Sequence, residues 1–293
     1  MKCAAFDYHR PADTAEMLAR LAEHGPEARV LAGGQSLVPA MNFRLLRPAV
    51  LLDANALPGL DRVQADGDRL RIGALVRHAA FHLPVADGPL GRLLARTVPY
   101  IAHYPIRQRG TFGGSLAHAD PAAEWCLIAV LLDAEVEMHS QRGVRSVPAD
   151  GFFRASFTTD AAPDELLTEV RLPLLGNDWH VGFYEFARRA GDYALAMAGA
   201  ALQIGRDGRI TAARLALGSV AGRPLRLTTL EAGLRGELPG PDLLREVAAG
   251  AGALVEVSDD IHASAAYRRD LCGVVLERAL RQALQSLPQD AAA

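Results

Sequence analysis

Apolar positions in the first half of the chain switch between a helical and a strand period. Met17, Leu18 and Leu21 fall on one helical face. Asp13 and Glu16 precede them at capping-box spacing, with Asp in place of the usual Ser or Thr. Arg29-Val30-Leu31-Ala32 then predicts a short buried strand, stopped by Gly33-Gly34. A helix is predicted from Leu37 to Leu46, ending at Pro48. Val50-Leu51-Leu52 and Leu70-Arg71-Ile72-Gly73 read as two further strands. Asp120-Pro121 predicts a helix start, because Asp caps well and Pro suits the first helical position. An apolar run follows from Trp125 to Leu132. Ala134, Val136 and Met138 alternate with Glu135, Glu137 and His139, as in a half-exposed strand. Leu166 to Leu172, closed by Pro173, predicts another.

Gly176-Asn177-Asp178 marks a boundary, giving regions 1–176 and 177–293, the first divided near 57/58. Beyond it, Tyr184 and Phe186 predict a strand. Ala200 to Ile204 and Ile210 to Leu217 read as a hairpin around Arg206-Asp207-Gly208-Arg209. Leu276, Leu280, Ala283 and Leu287 recur at helical spacing, and Pro288 to Ala293 reads as a frayed end. Strands first and helices last indicate an α+β unit.

Composition removes several function classes. The chain has 293 residues, half of them hydrophobic, with a formal net charge of -3. No basic face or stripe suggests nucleic-acid binding. Cys3, Cys126 and Cys272 are too dispersed for an iron–sulfur cluster or structural zinc built by this chain alone. No apolar stretch reaches the ~18 residues of a membrane span. Lys2 and Asp7 interrupt the start too early for a signal sequence. A cytoplasmic location is the expectation.

Two glycine pairs carry the candidate chemistry. Gly33-Gly34, followed by Gln35-Ser36-Leu37, sits between a strand and a helix. Glycines let backbone N–H groups converge, and a helix N-terminus adds partial positive charge, so such a loop can seat phosphate oxygens. A tight strand-to-helix turn explains the same residues equally well. Thr111-Phe112-Gly113-Gly114-Ser115 repeats the pattern about eighty residues on. Two such loops suit a dinucleotide pyrophosphate, whose two charges need donors from more than one side. Neither Gly-x-Gly-x-x-Gly after the first strand nor Gly-x-x-x-x-Gly-Lys-Ser/Thr is present, so a Rossmann or P-loop site is not supported.

Other candidates have two readings each. His78 and His82 have the spacing of helical metal ligands, but no third ligand completes a site, which favours a surface or packing role. His118 either touches a cofactor or steadies a turn. Asp120 is a helix cap or a cofactor contact. Arg188 and Arg189 either meet phosphate or a partner subunit, or form a solvated strand end.

Ala32-Gly33-Gly34-Gln35-Ser36-Leu37-Val38-Pro39, with Met41 to Pro48, resembles the first FAD loop of the medium subunits of molybdenum hydroxylases. Ile106 to Glu124 resembles their second loop, and Arg188 to Ala194 a third element. Asp260 to Arg269 is similar to their C-terminal domain. The resemblance covers nearly the whole chain. It implies two α/β FAD-binding subdomains of the vanillyl-alcohol-oxidase (PCMH) type and a C-terminal α+β domain with antiparallel sheet and helices. It also implies that Ala32, Gly33, Gly34, Gln35, Ser36 and Leu37, with Thr111, Gly113, Gly114 and Ser115, wrap the pyrophosphate. Ile101 would lie near the adenine, Glu124 would face the ribityl chain, and Tyr193 would sit by the isoalloxazine or serve as ordinary core. Phe112, Ser115 and Glu124 depart from the family's usual Ile/Val, Asn/Asp and Asp. Gln35 stands where relatives can carry His, so FAD is expected to be noncovalent.

The resemblance further implies an electron-transfer subunit of an oxidoreductase. A small subunit with 2Fe-2S clusters and a large molybdopterin subunit would be its partners, in a dimer of heterotrimers. No catalytic residue or metal site is expected on this chain. A free-standing FAD oxidoreductase of the same fold is the alternative, and would need a substrate-binding base near the flavin. A subunit that has lost flavin is a third reading, opposed by the intact glycine pairs.

Overall fold

The computed structural model describes residues 2–285. Strands β1 (Asp7–His9), β2 (Ala28–Leu31) and β3 (Val50–Asp53) form a parallel sheet in the order β1-β3-β2. Helix α1 (Thr14–His24) connects β1 to β2, and α2 (Leu37–Asn42) connects β2 to β3. The Asp13 carboxylate accepts from the Glu16 N–H at 2.8 Å, while Glu16 accepts from the Ala12 N–H at 2.9 Å. This is the predicted capping box with its return bond moved one residue upstream. Met17 and Leu21 bury against Val50 and Leu52.

Helix α2 is shorter than its predicted span. Arg44 takes φ 58°, and Leu45 N–H returns to the Ala40 carbonyl while Arg44 N–H returns to Met41. This pair of bonds is a Schellman stop made without glycine, so hydropathy gave no sign of it.

The middle of the chain contributes β4 (Val63–Asp66), β5 (Arg69–Gly73), α3 (Gly88–Thr97), α4 (Tyr104–Arg107), α5 (Phe112–His118) and α6 (Glu124–Leu131). Next come β6 (Glu135–Ser140), β7 (Gly143–Pro148), α7 (Ala149–Phe152), β8 (Phe153–Ala155), β9 (Thr158–Thr159) and β10 (Leu166–Pro173). Five of these strands form an antiparallel sheet in the order β4-β5-β10-β6-β7, and β8 pairs with β9. Helix α6 is buried on every side from Trp125 to Leu131, which is why its sequence is continuously apolar. It starts at Glu124, not at the predicted Pro121. Asp120 caps a turn before it, accepting from the Ala122 N–H at 2.9 Å.

Strands β11 (Trp179–Ala187), β12 (Ala194–Ile204), β13 (Ile210–Gly218) and β14 (Leu225–Arg226) form a second antiparallel sheet in sequence order. Helices α8 (Thr228–Leu234), α9 (Pro241–Ala249) and α10 (Ala265–Gln285) follow. Both faces of this sheet are covered. Ala198, Ala200, Leu215 and Leu217 pack with Leu276, Leu280 and Ala283 of α10. Val181, Phe183, Met197 and Ala216 join the core of the first half of the chain. Leu287 and Pro288 to Ala293 lie outside the described residues. Among the described residues, no helix is long and apolar enough to cross a membrane.

Candidate functional site

The first glycine loop lies at the carboxyl end of parallel strand β2, where such sheets bind ligands. It opens into a cleft of about 380 Å³ lined by Ala32, Gly33, Gly34, Gln35, Asp53, Asn55 and Arg109, among others. Among the described residues, the N–H groups of Gly33, Gly34, Gln35 and Ser36 find no protein acceptor. Gln35 folds back to donate from Nε2 to the Gly33 carbonyl at 2.9 Å. Leu37 begins α2, and Val38 N–H returns to Gly34. These open donors are the property that an anion seat needs.

Residues that the sequence did not single out hold this loop. Asn55 Nδ2 donates to the Ala32 carbonyl at 2.8 Å and to Asp53 at 2.6 Å. Tyr8 donates to Asp53 at 2.5 Å. Burial opposes the charge on Asp53, but the hydrogen bonds from Tyr8 and Asn55 outweigh it and hold the carboxyl below its ordinary range. Arg77 donates to Asn55 Oδ1 at 2.6 Å and to the Arg109 carbonyl. One network therefore joins the first loop to the segment that leads into the second. The one signal that could have drawn attention to Asp53 and Asn55 is their place just past the apolar run Val50-Leu51-Leu52.

The second glycine pair plays a different physical part. It lies at the start of α5, and its donors are already used. Thr111 Oγ1 accepts from Gly114 N–H at 3.1 Å, Gly113 N–H goes to Ala74, and Ser115 N–H goes to Thr111. What the pair supplies is close approach. A Cβ on Gly113 would lie 2.6 Å from Ala74 Cα, and one on Gly114 3.7 Å from Ala32 Cβ. A Cβ on Gly33 would lie 2.3 Å from the Arg109 carbonyl oxygen. The two loops do meet, but the free N–H groups lie on the first.

Ile101, Glu124 and Tyr193 lie beyond the residues that line this cleft. Ile101 is 7 % exposed within the core, and its carbonyl accepts from Arg107 at 2.8 Å. Glu124 opens α6 in a desolvated position that raises its carboxyl to about 7. Tyr193 is 73 % exposed, so it is not core. Desolvation of its hydroxyl, then the charges of Asp120 and Glu124, raise its phenol above the ordinary value. The β11–β12 turn that carries Tyr193 touches the Ile101 segment, since a Cβ on Gly191 would lie 2.5 Å from His103. Arg188 is exposed in the same turn and faces Asp192 at 3.7 Å.

His78, His82 and His118 each make a contact within the fold. His78 and His82 bound a 3-10 turn, not an α-helix. His78 is buried, and its Nδ1 accepts from Trp125 Nε1 at 2.9 Å. His82 Nε2 accepts from Arg107 at 3.1 Å. His118 packs against Phe157, with ring centroids 5.1 Å apart.

Comparison with known proteins defines the class. Residues 4–175 match the FAD binding domain in molybdopterin dehydrogenase, and residues 182–283 match the CO dehydrogenase flavoprotein C-terminal domain. The fold is thus that of an FAD-binding oxidoreductase subunit. Nicotine 6-hydroxylase medium subunit from Paenarthrobacter nicotinovorans is 39 % identical, covering 97 % of this chain and 99 % of its own. Caffeine dehydrogenase subunit beta from Pseudomonas sp. (strain CBB1) is 38 % identical, covering 97 % and 96 %. Carbon monoxide dehydrogenase from Hydrogenophaga pseudoflava superposes with a TM-score of 0.93 at 31 % identity, over 98 % of this chain and 100 % of that one. The chain belongs to the FAD-binding medium subunits of molybdenum hydroxylases, the carbon monoxide dehydrogenase and xanthine dehydrogenase family.

Proposed function

We propose that this chain is the electron-transfer subunit of its complex. It takes electrons from 2Fe-2S clusters on a small subunit and passes them to an external acceptor, while substrate is oxidised on a large molybdopterin subunit. Two copies of such a heterotrimer would form the assembly, in the cytoplasm. The observation that carries the reading is the run of open N–H donors from Gly33 to Ser36, fixed by Asn55 and Arg77. Bound there, FAD supplies a two-electron store that also exchanges electrons singly.

The residues divide the work of holding it. Ala32 to Leu37 present the donors for the pyrophosphate. Thr111, Gly113, Gly114 and Ser115 set how closely α5 backs that loop. Ile101 marks the adenine side, Glu124 accepts from the ribityl chain, and Tyr193 borders the isoalloxazine. Gln35 offers no imidazole for a covalent link, so FAD is held noncovalently. Regions 1–176 and 177–293 act as the FAD-binding and C-terminal domains. The ring nitrogens of His78 and His82 serve Trp125 and Arg107.

Purification of the native complex tests this reading. One FAD per copy of this chain is expected, released by denaturation, with iron and molybdenum only on co-purifying subunits. Substrate turnover by the isolated FAD-loaded chain would overturn it in favour of a free-standing oxidoreductase.

A further inference from the structure

The segment Asp260 to Arg269 lies outside the cofactor cleft, yet a buried cation on it reaches the end of the second sheet beside Tyr193. That cation is Arg268, in the first turn of α10 and 7 % exposed. Its Nη1 donates to the Leu195 carbonyl of β12 at 2.8 Å and to the Ser219 carbonyl, just past β13, at 3.2 Å. Its Nη2 donates to Asp260 Oδ2 at 2.6 Å. The other oxygen of Asp260 accepts from the N–H groups of His262 and Ala263, at 2.8 and 2.9 Å. The carboxylate is thus fixed by its own turn, and it fixes the guanidinium. Burying a guanidinium costs desolvation energy that an apolar side chain of the same size avoids. What the guanidinium supplies is direction, because its planar fork holds several acceptors at set angles.

The acceptors that Arg268 holds lie where β12 begins and β13 ends. Ser219 sits there at φ 64°. Its Oγ donates to the Ala194 carbonyl at 2.5 Å, and its N–H donates to the Pro121 carbonyl at 2.9 Å. The two consecutive carbonyls after Tyr193, those of Ala194 and Leu195, are therefore both pinned. On the other side of Tyr193, Gly191 rests on the Ile101 segment. A Cβ there would lie 2.5 Å from His103 and 3.1 Å from the Ala102 carbonyl oxygen. Arg107 holds that segment in turn, donating to the carbonyls of Ile101 and Ala102 at 2.8 Å each. Tyr193 itself is exposed, and among the described residues its hydroxyl forms no hydrogen bond. The side chain has no anchor of its own, so its place follows from the backbone on either side.

We propose that Arg268, held by Asp260, is a positioning residue for Tyr193 and so sets how this tyrosine lies against the isoalloxazine. The proposal rests on the FAD reading above, in which Tyr193 borders that ring. It gives the Asp260 to Arg269 segment a part in the flavin site. Arg268 acts at a distance, on the Leu195 carbonyl directly and on the Ala194 carbonyl by way of Ser219. Loss of the cation leaves these buried carbonyls short of a donor and loosens the strand end that follows Tyr193. The open N–H groups from Gly33 to Ser36 are untouched by that change, so the pyrophosphate seat stays as it is.

Flavin fluorescence of the full-length, FAD-loaded chain reads this role. A tyrosine against the ring quenches the excited flavin by lending it an electron and taking it back, and phenylalanine does not. Tyr193→Phe should therefore lengthen the emission lifetime severalfold. Arg268→Met fills a similar volume without the charge and should lengthen it as well, with FAD affinity close to wild type. Arg268→Lys, which keeps the charge, should recover part of the quenching. Asp260→Asn keeps an acceptor for His262 and Ala263 and removes only the carboxylate that faces Arg268. It should lengthen the lifetime in part, and it carries the test if Arg268→Met does not fold. Tyr193→Phe combined with either change should match Tyr193→Phe alone, because changes that act through one contact do not add. Wild-type lifetimes in Arg268→Met and Asp260→Asn, or a combined variant that exceeds Tyr193→Phe, overturn the positioning role. A wild-type lifetime in Tyr193→Phe overturns instead the placement of Tyr193 beside the flavin, and the proposal falls with it. A wild-type chain that binds no FAD overturns the FAD reading itself, and the proposal with it.

Discussion

At Gly33, a single methyl group would enter space held by the Arg109 carbonyl, 2.3 Å away. Neither backbone segment can yield without moving a loop, so Gly33→Ala should raise the FAD dissociation constant at least tenfold, about 1.4 kcal/mol. Fluorescence titration reads this, and unchanged far-ultraviolet circular dichroism would show that the fold is kept. Gly114→Val should give flavin-free protein that still folds, because its Cβ meets a side-chain oxygen, Thr111 Oγ1 at 2.6 Å, and faces Ala32. Normal flavin occupancy would show that α5 does not back the cofactor loop. His78 provides a separate acid-side test. Burial, then the charges of Arg77 and Arg107, lower its imidazole to about 4 from the ordinary 6.5. The unfolded chain takes up the proton first, so stability should drop by up to about 3 kcal/mol as pH falls across that interval. His78→Gln keeps an acceptor for Trp125 and should flatten this acid limb in denaturant titrations. The glycine pairs were legible as residues, because few other patterns bring so many N–H groups together. Asn55 and Arg77 were not, because their partners lie 22 to 32 positions away in sequence.

At the scale of elements, the pattern of apolar positions located α1, α10 and strands such as β3, β6 and β10, left α3, α8 and α9 unread, and failed where burial erased the period. Strand β12 is buried on both faces from Ala194 to Leu202, so alternation marked only its end. Helix α6 has no polar face to fix its start, and the Asp120-Pro121 pair sits in the turn before it. Helix α10 was legible because only one of its faces is apolar. It packs so closely on β11 that a Cβ on Gly182 would lie 1.9 Å from the Ala279 carbonyl oxygen. Gly182→Ala should therefore push α10 off the sheet and cost about 3 kcal/mol, read as a lower thermal midpoint. An unchanged midpoint would mean that the helix slides freely over β11.

For the molecule as a whole, the sequence carried the family through two long motifs, while the way its halves meet was not legible. Glu185 shows why. Its neighbours on β11 look like an ordinary strand, and its burial beside the core of the first half of the chain comes only once the second sheet docks on α6. That docking has a mechanical consequence. Phe183, Val181 and Met197 are interior residues of a core that also takes in α3, α5, α6 and strands β5, β6 and β10. The Gly176-Asn177-Asp178 link is exposed, yet the surfaces on either side of it are not finished surfaces. Cleavage there by a protease should leave two pieces that elute together and melt in one calorimetric transition. Either piece expressed alone should present a bare apolar wall to water and precipitate, so the two halves stand or fall as a single folding unit.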